Sequence, residues 1–89
     1  MQTRPIVADL TGTTGIVTGG ARGIGAATVE LLAKAGCRVW VLDIDGVEAS
    51  SVAQRVGGIA HQVDARDAVA LERFFQGLDA DGVAIDILV

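Results

Sequence analysis

Apolar residues in this chain fall into short unbroken runs that alternate with stretches repeating every three or four positions. The first run, Gly15–Thr18 (GIVT), is entered from the turn-like Thr11-Gly12-Thr13-Thr14 and ends on glycines, as a buried strand does. Ile24, Ala27, Leu31 and Ala35 then recur at helical spacing. Gly36 follows as a residue that tolerates a left-handed helix end, so the pattern predicts a helix over Gly23–Ala35. Arg38–Asp43 (RVWVLD), rich in β-branched and aromatic residues, reads as a second strand, and Gly46–Val56 as a short amphipathic helix stopped by Gly57-Gly58. A third strand is expected over Ile59–Asp64. A third helix is expected over Asp67–Gly77, with Val69, Leu71, Phe74, Phe75 and Leu78 on its buried side, and a fourth strand over Ile85–Val89.

The order β-α-β-α-β-α-β, with strands almost wholly apolar, is that of an α/β fold of Rossmann type: a parallel sheet with helices on both faces. Right-handed crossovers then favour a strand order of 3-2-1-4, stopping after the fourth strand. A chain of 89 residues has room for one domain at most. With 51% apolar and 20% charged residues, and no apolar run of the ~18 residues a membrane span needs, the composition is that of a soluble globular protein.

Charge and cysteine content narrow the chemistry. A net charge of -4 offers no basic stripe for a phosphodiester backbone, so neither nucleic acid nor a membrane is an expected partner. Met1-Gln2-Thr3-Arg4-Pro5 lacks an apolar targeting segment, and a cytoplasmic location is expected. Cys37 is the only cysteine and His61 the only histidine, which excludes an internal disulfide and a cysteine-based zinc site; no metal is expected.

The candidate chemistry sits between the first strand and the first helix, in Thr18–Gly25 (TGGARGIG). A turn from a strand end into a helix aims unpaired N–H groups and the positive end of the helix dipole at one place, where a pyrophosphate can sit. Gly19 suits a tight turn, Gly23 a close approach to phosphates, and Gly25 the packing of the helix on the sheet. Thr18 is placed to hydrogen-bond within the loop, and Arg22 to reach toward the pyrophosphate. At the end of the second strand, Asp43 is placed to accept hydrogen bonds from the adenosine ribose hydroxyls. Its charge opposes a 2′-phosphate, which favours NAD over NADP. Asp45 lies two residues further on and is the competing acid. Asp64 reads either as the residue that opens a turn into a helix or as a contact to the adenine amino group, with the Ala65 amide beside it.

The remaining distinctive residues have structural readings. His61 is expected on a partly buried strand face, without a catalytic partner in sequence; Cys37 as a small apolar residue at the start of the second strand; Trp40, Phe74 and Phe75 as core. Glu30, Lys34, Glu48, Arg55, Glu72 and Arg73 read as solvated helix faces.

TGGARGIG fits the T-G-x-x-x-G-x-G pattern of the classical short-chain dehydrogenases/reductases, and with Asp43 after VWVL, Asp64 after AHQV and the closing DILV the chain resembles that family from Leu10 to Val89. The resemblance implies a partial dinucleotide-binding domain over residues 1–89 of an oxidoreductase that moves a hydride between a nicotinamide and a carbonyl or hydroxyl carbon. It assigns Thr18, Gly19, Arg22, Gly23, Ile24 and Gly25 to the pyrophosphate side of the cofactor, Asp43 to the ribose, and Asp64 with Ala65 to the adenine. Gly15 and Ala65 depart from the family, which has a larger apolar residue and a valine there. In the family the fourth strand continues into Asn-Asn-Ala-Gly, and a serine and a Tyr-x-x-x-Lys pair follow. This chain has no tyrosine and no asparagine, and its one lysine is Lys34. No catalytic residue is therefore assigned, and the 89-residue chain is expected to show no turnover. A small-molecule substrate is expected only for a longer form.

Two other readings fit the same residues. One is a stand-alone nucleotide-binding module, or one that completes another chain's sheet, because an open fourth strand invites pairing, oligomerisation or aggregation. The other is a methyltransferase using S-adenosylmethionine. It fits less well, since its loop has closer-spaced glycines preceded by an acid, where this chain has Thr18-Gly19.

Overall fold

The computed structural model describes residues 9–89, so the Met1–Pro5 segment read above lies outside the described residues. Four strands, β1 (Thr14–Thr18), β2 (Arg38–Asp43), β3 (Ile59–Gln62) and β4 (Ile87–Leu88), alternate with helices α1 (Gly23–Lys34), α2 (Gly46–Val56) and α3 (Ala68–Ala80). They form one parallel sheet in the order β3-β2-β1-β4. Pairing puts Gly15 opposite Val39 and Ile87, and Asp43 opposite Gln62.

Alternation along the two central strands divides the core between the faces of the sheet. Val17, Val39 and Val41 pack with Val29 of α1 and Ala49, Val52 and Ala53 of α2. Ile16 and Leu42, on the opposite face, pack with Val63 and with Phe74 and Leu78 of α3. Trp40 joins this second cluster, edge-on to Phe74 with ring centroids 5.4 Å apart. The expected two-sided covering of the sheet is thus present.

Where chain ends are decided locally, the sequence pattern and the structure agree. Asp45 caps α2 by accepting the Glu48 N–H, and Gly57 closes that helix at φ +69°. Asp67 caps α3 in the same way through the Ala70 N–H. β3 is shorter than expected because Asp64 opens a turn, its carbonyl accepting the Asp67 N–H at 2.9 Å. α3 runs on through Gly77 to Ala80.

Three packing expectations are corrected. The face of α1 that is buried carries Val29, with Ala26, Leu32 and Ala33 partly covered, whereas Ile24 is 89% and Leu31 69% exposed. In α3, Val69 is exposed. His61 is exposed as well, because β3 is an edge strand; its ring lies against Phe74 at 4.7 Å between centroids. The unusual Gly15 has a packing reason. A Cβ there would stand 3.0 Å from the Cys37 Sγ, so the small residue on β1 and the buried thiol share one space. No helix among the described residues is long and apolar enough to cross a membrane.

Candidate dinucleotide site

The loop from β1 to α1 is tied to the end of β2 at two amides and to the end of β4 through Thr18. The Gly20 N–H donates to the Leu42 carbonyl at 3.2 Å, and the Ala21 N–H to Asp43 Oδ2 at 3.1 Å. Thr18 does not bond within the loop as expected. Its N–H and hydroxyl both donate to the Val89 carbonyl, at 3.0 and 2.9 Å, and so tie the end of β1 to the end of β4.

Two glycines decide how close the turn and helix come. At Gly25 a Cβ would lie 2.0 Å from the Gly19 carbonyl oxygen and 3.1 Å from the Gly20 Cα, so this glycine lets α1 meet its own loop rather than the sheet. Gly23 has φ +56° with open space where a side chain would go, which leaves the backbone uncovered at the start of the helix. Gly20 is constrained less severely: a Cβ would stand 2.9 Å from a Val41 methyl and 3.2 Å from the Val17 carbonyl. Its only signal in sequence is a second glycine directly after Gly19.

The N-terminus of α1 carries neither a side-chain cap nor an acid in its first turn. Its first N–H groups thus have no side-chain partner from the cap position, and the positive end of its dipole favours an anion there. Ile24, the second residue of the helix, stands exposed beside them.

Asp43, the acid the sequence assigns to the ribose, and Asp45, its competitor, take different tasks. Asp43 is part-buried and bridges two loops, its Oδ2 accepting from Ala21 and its Oδ1 from the Asp45 N–H at 2.9 Å. Asp45 uses Oδ1 to cap α2 and Oδ2 to pair with the Arg22 guanidinium. Arg22 is thus turned toward Asp45 and the β2–α2 turn, a pairing the sequence reading did not anticipate.

Asp64 and Ala65 follow β3 at the same end of the sheet, brought beside Asp43 by the Val63 N–H, which donates to the Asp43 carbonyl at 3.0 Å. The Asp64 carboxylate is forked by Arg66, accepting its Nε–H and Nη2–H at 3.0 Å each and its backbone N–H at 2.9 Å. These bonds hold the Asp64 carboxyl below the ordinary carboxylate range. A lowered folded-state value means that the fork contributes above the unfolded pKa of ~3.9 and is lost as pH falls through the folded one. Titration of the Asp64 side-chain carbon by NMR is expected to show a midpoint below ~3.9, and Arg66→Gln to return it toward that value. An unchanged midpoint in the variant would show that the fork does not form in solution.

The sequence-assigned residues therefore converge at the carboxyl ends of β1, β2 and β3, where ligands of open parallel sheets bind. Residues 13–89 match the family described as short chain dehydrogenase. The 2,5-dichloro-2,5-cyclohexadiene-1,4-diol dehydrogenase of Sphingobium indicum is 43% identical over 82 residues, covering 82% of this chain and 33% of that protein. Among solved structures, RhlG of Pseudomonas aeruginosa in an NADP active-site complex superposes with a TM-score of 0.76 at 31% identity, covering 90% of this chain and 34% of RhlG. A Brucella melitensis 16M structure described as ribose-5-phosphate isomerase gives a TM-score of 0.86 at 31% identity, covering 93% of this chain and 32% of its own. The chain spans about a third of the length of each of these proteins.

Proposed function

The chain belongs to the short-chain dehydrogenase family, and on that premise we propose that it forms the adenosine-binding part of an oxidoreductase that uses NAD. The carrying observation is the uncapped start of α1 behind a glycine loop whose Ala21 amide is held by Asp43. The diphosphate is assigned to Thr18, Gly19, Arg22, Gly23, Ile24 and Gly25, a reading supported by the open space beside Gly23, where no side chain stands. Asp43 would hold the ribose, exchanging an amide bond for a hydroxyl donor or sharing an oxygen between them. Asp64 and Ala65 would meet the adenine. Bound there, the dinucleotide would supply a hydride donor or acceptor at its nicotinamide.

The preference for NAD over NADP rests on the Asp43 charge, which a ribose 2′-phosphate would meet at close range. The test is an amide NMR titration of the chain with NAD. Shifts confined to Gly19–Gly25, the turn after β2 and the residues around Asp64 are the expected result, whereas a spectrum left unmoved at millimolar NAD removes the proposal. A second reading, a module that completes another polypeptide's sheet, draws on β4 as an edge strand of the sheet. Light scattering on the same samples separates the two: a monomer that binds NAD disfavours it, while a mass rising with concentration favours it.

A further inference from the structure

We propose that Asp45 is a second determinant of cofactor choice, a positioning residue that keeps the Arg22 guanidinium from a phosphate on the adenosine ribose; the inference rests on the dinucleotide reading above. Asp43 accepts one amide from the glycine loop and one from the β2–α2 turn, so the residues next to those amides, Arg22 and Asp45, flank it. Whatever group Asp43 holds is therefore within reach of the Arg22 side chain. An arginine there would ordinarily favour a phosphate, since its planar fork matches phosphate oxygens in pairs. In this chain the fork is already engaged by Asp45 Oδ2.

The engagement is better prepared than an ordinary surface pair. Asp45 has its backbone N–H bound by Asp43 and its other carboxylate oxygen bound by the Glu48 N–H at 3.1 Å, so little side-chain freedom is left to lose on pairing. The Arg22 side chain is 72% exposed, and Asp45 is its only ion-pair partner among the described residues. Removing the Asp45 charge would release the guanidinium.

Asp45→Asn makes the test clean, because asparagine retains the helix cap while losing the charge. The dissociation constants of NAD and NADP are measured by NMR titration for the unmodified chain, Asp45→Asn, Arg22→Gln and the double variant. NADP is expected to tighten roughly three- to tenfold relative to NAD in Asp45→Asn, and that gain is expected to vanish in the double variant. Asp45→Ser, a second capping residue, guards against an effect peculiar to asparagine and should behave alike. A NADP-to-NAD ratio that stays put in both Asp45 variants overturns the proposal, as does a gain that survives without Arg22. If the unmodified chain binds neither nucleotide, the dinucleotide reading itself has failed, an outcome distinct from intact NAD binding with an unmoved ratio.

Discussion

Gly25→Ala is expected to displace α1 from its loop and to weaken NAD binding by at least ~30-fold, about 2 kcal/mol. The added methyl would stand 2.0 Å from the Gly19 carbonyl oxygen and 2.8 Å from its carbon, and both are backbone atoms. Nothing flexible is available to yield, so the helix must back away or the turn must open. Overpacking of this kind costs ~1–3 kcal/mol and occasionally more. In a domain this small that is a large share of a total stability of about 5–10 kcal/mol. Gly23→Ala is the informative control. It meets no neighbouring atom, and its cost is the ~1–2 kcal/mol of placing an L-residue at positive φ. Urea midpoints distinguish the two, with Gly25→Ala falling further. Equal stability and affinity for Gly25→Ala and the unmodified chain would mean that helix and loop do not meet as described.

Asp43→Ala is expected to lower NAD affinity about 100-fold, more than loss of ribose contacts alone would give. The carboxylate already has two donors in the free chain, the Ala21 and Asp45 amides, so its removal loosens the glycine loop and the β2–α2 turn together. Hydrogen bonds to a charged group contribute ~1.5–3 kcal/mol each when buried, and these are only part-buried, which places the loss of stability at about 1–3 kcal/mol. Hydrogen exchange reads the loop directly: protection of the Ala21 amide should fall in Asp43→Ala and recover in part in Asp43→Asn, which retains one acceptor oxygen. If exchange at Ala21 is untouched while NAD affinity collapses, Asp43 serves the ribose alone and the bridging role is wrong.

Much of this architecture is legible residue by residue because its signals are local. The βαβ alternation, the bounds of β2 and α2, and the left-handed stop at Gly57 each depend on neighbours in sequence: an aspartate three residues before an amide it caps, or a glycine where φ must be positive. The same holds for the glycine loop and for Asp43 at a strand end, which carry the candidate site. The face that α1 buries was beyond local reasoning. Its sequence GIGAATVELLAK is apolar on more than one side, so the stripe through Ile24 and Leu31 and the stripe through Val29 and Leu32 satisfy the helical period equally. Packing against β1, β2 and α2 selects the second. Likewise, the exposure of His61 follows from β3 lying at the sheet's edge, and the need for Gly20 from a methyl of Val41 on another strand. The Arg22–Asp45 pair joins two loops that only the parallel pairing of β1 with β2 brings side by side. Periodicity and local turn chemistry thus specified the elements and singled out the glycine loop and Asp43. Which faces meet, and which charges neutralise each other there, are relations between distant residues that exist only once the sheet has assembled.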